Sequence, residues 1–133
     1  MDLDIRWDVQ QTGVIVMKYD QAANWDEVLE VFETQAHMAA QVTHPVAVII
    51  LQHERIHLPG GDWMAVGRQI KRGMPDNVKI WVAVGVNRTL QAVIEVARRA
   101  GIINMYAAAS IDAAREMAAA ALAKLEAEVS NQP

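Results

Sequence analysis

Apolar and polar residues alternate with period two at the start of the chain, Leu3, Ile5, Trp7 and Val9 against Asp4, Arg6 and Asp8. That pattern predicts a strand with one wet face at the edge of a sheet. Gln11, Thr12 and Gly13 then turn the chain into residues 14–19, more continuously apolar and so a more buried strand closing a hairpin. The period changes at Asn24, which is placed to cap a helix carrying Trp25, Val28, Leu29, Phe32, Ala36 and Ala39 on one face, with Glu27 in a capping-box relation and Pro45 beyond its end. Residues 46–51, Val-Ala-Val-Ile-Ile-Leu, are too few for a helix and rich in β-branched side chains, the mark of a strand buried on both faces.

The second half repeats this rhythm. Asp62 is placed to cap a helix with Trp63, Val66, Gly67, Ile70 and Met74 inward, and the cluster 73–77 ends it. Residues 78–86 read as a strand, Asn87 as the cap of a helix with Leu90, Val93, Ile94 and Ala97 inward, and Gly101 as its stop. Residues 102–107 read as a short last strand. Ser110 caps a closing helix with Ala113, Ala114, Met117, Ala121, Leu122 and Leu125 at core spacing. The order β-β-α-β-α-β-α-β-α predicts an α/β protein: a mostly parallel sheet of about five strands, an N-terminal β-hairpin and four helices.

Composition narrows the classes. The chain has 133 residues, no cysteine and a net charge of −4. One domain over residues 1–129 is expected, with a frayed polar tail at 130–133. Thiolate chemistry is excluded, and the charge gives no electrostatic reason for a nucleic-acid partner. An acidic N-terminus without a basic and apolar leader, and no apolar run near the ~20 residues of a membrane span, make a cytoplasmic protein the expectation.

The stretch between the buried strand and the Asp62 helix gathers the chemistry. It holds His53, Glu54, Arg55, His57, Gly60, Gly61, Asp62, Trp63 and Met64, and parallel sheets bind ligands outside the carboxyl ends of their strands. His53-Glu54-Arg55-Ile56-His57 is a literal His-Glu-x-x-His, the pattern with which zinc peptidases hold a metal through two histidines one helical turn apart and use the glutamate as general base. That chemistry needs a helix. Strong strand sequence lies upstream and Leu58-Pro59-Gly60-Gly61 downstream, which leaves too little room for one, and Trp63 stands where the longer pattern puts a third histidine. The reading is a polar loop, with a zinc peptidase, or a non-catalytic metal site at His53 and His57, as lesser alternatives. No other catalytic constellation stands out, and no cofactor is expected.

Residues 24–28 entering the first helix, His44-Pro45-Val46-Ala47-Val48-Ile49-Ile50-Leu51, Met74-Pro75-Asp76-Asn77-Val78 and residues 108–114 together resemble the STAS superfamily, in particular its SpoIIAA-like group of anti-sigma-factor antagonists, also described as STAS/SEC14-like. The resemblance spans nearly the whole chain and implies a non-catalytic regulatory domain that works by binding. In that family a serine or threonine preceded by aspartate, where the third strand turns into the second helix, is phosphorylated to break contact with a partner kinase. Here residues 52–62 contain neither serine nor threonine, so the switch cannot operate at its usual place; Asp62 reads as an ordinary N-cap, with a fixed anion standing in for the phosphosite as the lesser alternative.

Two functions follow as expectations. One is a protein-interaction domain binding a protein partner or a sister copy through His53, Arg55, His57, Gly60, Gly61, Asp62, Trp63 and Met64. Self-association as a homodimer would draw on the edge of the first strand and on exposed tryptophans. The other is a carrier of a small apolar ligand or lipid, with Met38, Met64, Met74 and Met105 lining an adaptable pocket.

Overall fold

The computed structural model describes residues 3–19, 24–52 and 60–130. It shows an α/β fold with a five-stranded sheet in the order β1 (Leu3–Trp7), β2 (Val14–Tyr19), β3 (Val46–Gln52), β4 (Val78–Val84), β5 (Met105–Ala108). β1 pairs antiparallel with β2, and every later pair is parallel. Helices α1 (Trp25–Ala39), α2 (Trp63–Gly73) and α3 (Arg88–Arg99) connect successive parallel strands, and α4 (Ile111–Ser130) closes the chain.

Crossovers of one hand, stepping the same way along the sheet, must lie on one face. The core confirms it: Ile15, Met17, Val46, Val48, Ile50 and Trp81 pack with Val31 and Ala39 of α1, and Ala83 packs with Leu90 and Ile94 of α3. The alternate residues Val14, Val16, Ala47, Ile49, Ile80 and Val82 face Ala114 and Ala118 of α4. β3, and β4 from Ile80 onward, are therefore covered on both faces, which is why those stretches are apolar without alternation, whereas Lys79 near the start of β4 is exposed. A buried amide ties the first face together. Gln35, fully buried on α1, accepts from the Trp81 indole at 2.9 Å and donates to the Met17 sulfur at 2.6 Å.

Five expectations need correction. β1 ends at Trp7: the Asp8 amide makes one more bond, to the Val14 carbonyl, while its side chain holds Arg115 of α4, and Val9 is 92% exposed rather than part of the apolar stripe. β4 ends at Val84 because Gly85 takes a positive φ of 78° that turns the chain toward α3. β5 begins only at Met105, since residues 101 and 102 are spent closing α3. Gly101, at φ 71°, donates to the Arg98 carbonyl and Ile102 donates to that of Ala97, a Schellman turn. None of the tryptophans is exposed: Trp7, Trp25 and Trp63 are half-buried and Trp81 is buried. Ser130, expected in the tail, is the last residue of α4, and residues 131–133 lie outside the described residues. No described helix is long and apolar enough to cross a membrane.

Candidate functional site

The parallel topology sends all four helix N-termini to the carboxyl end of the sheet. Each is closed by the residue its sequence offered. Asn24 accepts from the Glu27 amide at 3.0 Å, Asp62 from Ala65 at 3.1 Å, Asn87 from Leu90 at 2.8 Å and Ser110 from Ala113 at 3.1 Å. These bonds satisfy amides that a first helical turn leaves without partners.

Between β3 and α2 the described chain resumes at Gly60. Gly60, Gly61 and Asp62 are exposed, and Trp63 and Met64 are half-buried. Gly61 sits at φ 118°, a region side chains rarely adopt, and a Cβ there would also come 3.4 Å from the Trp25 indole nitrogen. That nitrogen donates to the Gly60 carbonyl at 2.9 Å. The turn is thus tethered to the first residue of α1, 35 positions away in sequence. Nothing local in the sequence signals this bond, because Trp25 reads there only as one residue of an apolar helix face.

Beside this turn, α1, α2 and α3 leave an apolar cleft of about 110 Å³. Trp25 and Phe32 line it from α1, Trp63 and Ile70 from α2, Val93 from α3, and Ile50 forms part of its wall near the carboxyl end of β3. Of the four methionines expected around a pocket, Met105 lines this cleft. Met38 and Met74 instead pack against the α1-side core, and Met64 is half-buried on α2.

His53, Glu54, Arg55 and His57 lie outside the described residues. The described chain reaches them from a regular strand, β3, that runs through Gln52, and leaves them at the glycine turn before α2. Among the described residues no three histidine, aspartate or glutamate side chains are grouped to hold a metal ion. Of the candidate residues, Gly60 to Met64 therefore follow one another through the turn and into α2, and Trp25, which sequence reading missed, is bonded to that turn.

No protein-family model matches the chain, and no curated protein matches it.

Proposed function

We propose that the chain is a non-catalytic binding domain of the STAS type, close in kind to the SpoIIAA-like anti-sigma-factor antagonists, which docks a protein partner at the turn between β3 and α2. The observation that carries this reading is the exposed Gly60-Gly61-Asp62 turn, tethered by Trp25 and flanked by the half-buried Trp63 and Met64. A rigid turn costs little entropy to dock, and a tryptophan with a methionine beside it supplies the apolar anchor on which interfaces depend. Asp62 puts a carboxyl side chain at the start of α2, where the resemblance would place a phosphorylatable hydroxyl. The contact is accordingly constitutive, with no phosphorylation switch at this turn.

The test is quantitative affinity capture with the wild type, the Trp63→Ala/Met64→Ala double variant and a Glu116→Ala control, whose side chain is exposed on α4 across the sheet. Proteins retained by wild type and control but lost from the double variant support the reading. Identical capture by all three contradicts it.

A second reading, a carrier of a small apolar ligand, is favoured by the cleft and its apolar walls. Its volume of about 110 Å³ is well below the ~300–1,000 Å³ of drug-sized sites. The ligand class is then a few carbons or one end of a chain rather than a whole lipid. Native mass spectrometry of gently purified protein separates the two: a discrete added mass supports a carrier, and its absence leaves the cleft as part of the docking surface.

A further inference from the structure

The sheet has two edges, and they are built differently. On β5 the outward carbonyl of Met105 accepts from the Arg98 guanidinium at 3.0 Å, and the same guanidinium lies 4.4 Å over the Tyr106 ring. A cation held in this way blocks a further strand from adding there. Among the described residues nothing comparable covers β1. It pairs only with β2.

The orientation of the free backbone groups on β1 follows from its register. Asp8 donates to the Val14 carbonyl at 2.7 Å, and Trp7 stands opposite Ile15. Because antiparallel ladders alternate, Arg6 and Asp4 turn their backbone groups toward β2, while Leu3, Ile5 and Trp7 turn theirs outward. The side chains alternate as well: Leu3, Ile5 and Trp7 are half-buried on the α1 side, and Asp4 and Arg6 are exposed on the other face.

We infer that β1 is a self-complementary edge that pairs antiparallel with β1 of a second copy of this chain, on a two-fold axis through Ile5. In that register Ile5 meets its own counterpart, Leu3 meets Trp7, and both pairs fall at hydrogen-bonded positions. Asp4 then stands opposite Arg6, twice over, at the closer non-hydrogen-bonded positions where side chains interact most directly. A slip of one residue sets outward groups against inward ones. A slip of two centres the pair on Asp4 or on Arg6, which opposes like charges and shortens the overlap. The centred register alone satisfies backbone, apolar pairing and charge together. A two-fold axis normal to the sheet keeps equivalent faces on the same side and closes the assembly, giving one continuous sheet through both copies. A strand this short makes a small seam, so the dimer is reversible and concentration-dependent. This inference is independent of what occupies the Gly60 turn, which lies at the end of the sheet and not on this edge.

Sedimentation velocity across a wide concentration range tests it with the wild type, Asp4→Lys and Arg6→Asp. Both side chains are exposed, so the variants fold, and matching thermal unfolding verifies that. Each single variant opposes like charges and weakens dimerisation about tenfold or more. An equimolar mixture of the two restores a dimer, because lysine at position 4 then faces aspartate at position 6 while Arg6 of one chain faces Asp4 of the other. A wild type that stays monomeric throughout overturns the inference. So do variants that dimerise as the wild type does, and so does a mixture no tighter than its components.

Discussion

The two ends of the parallel sheet are held by different means. At the amino end, polar contacts join elements far apart in sequence. Asp8, its side chain 4% exposed, is held by two guanidinium bonds from Arg115, and Gln11 donates to the Arg115 carbonyl. The Asn77 amide reaches the carbonyls of Ala39, Val42 and His44, Asn104 donates to the Lys79 carbonyl, and Lys71 donates to that of Gly101. At the carboxyl end the described side-chain bonds are local, the four caps and a Gln91 bond to the Val86 carbonyl, except for the Trp25 tether. An end locked by many long-range bonds serves the fold, whereas an end closed by local caps leaves the surface on which docking is proposed less tied to the rest of the chain.

Four substitutions sharpen that contrast. Arg115→Ala has the largest expected effect, about 3 kcal/mol lost in urea unfolding, because it strands a buried carboxylate. Adding Asp8→Asn recovers part of the loss. Asn77→Ala costs about 2 kcal/mol, since it removes the donor shared by the last carbonyl of α1 and two carbonyls of the following loop, and it leaves partner capture intact. Gly67→Ala costs about 1 to 2 kcal/mol. A Cβ there would come 2.7 Å from the Ile102 Cγ2, inside the Schellman turn, and the clash outweighs the helix propensity gained. In an Ile102→Ala background, which lacks that methyl, the same change becomes stabilising. Asp62→Ala, at the carboxyl end, costs about 1 kcal/mol through the lost cap, and Asp62→Ser costs only a few tenths. A ranking that placed Asp62 above Arg115 and Asn77 would break the comparison.

Much of the architecture was legible in the residues. Periodicity separated strands from helices, and Asn24, Asp62, Asn87 and Ser110 each cap the helix predicted for them, because capping is a short-range interaction between neighbours. Element ends were harder to place. Val9 continues the alternation of β1 in sequence, yet the Asp8 side chain is held by Arg115, a contact spanning 107 positions that no local pattern encodes. Ile102 has strand character but closes α3, because the Gly101 turn takes it first. At the candidate site, Gly60, Gly61, Asp62, Trp63 and Met64 were visible from their place after a buried strand. Trp25 was not, since its role depends on the three-dimensional approach of α1 to a turn 35 residues later. The tryptophans expected on the surface are half-buried or buried because each lies on the inward face of its element.

The four indole N–H groups provide the most direct test. Trp25 and Trp63 flank the Gly60-Gly61 turn where docking is proposed, Trp7 lies on the β1 edge, and Trp81 is bonded to Gln35 inside the core. In ¹H–¹⁵N spectra at a fixed protein concentration, adding the partner recovered by affinity capture should shift the Trp25 and Trp63 indole signals and leave those of Trp7 and Trp81 in place. Movement of Trp7 or Trp81 while Trp25 and Trp63 stay still would contradict binding at the carboxyl end of β3.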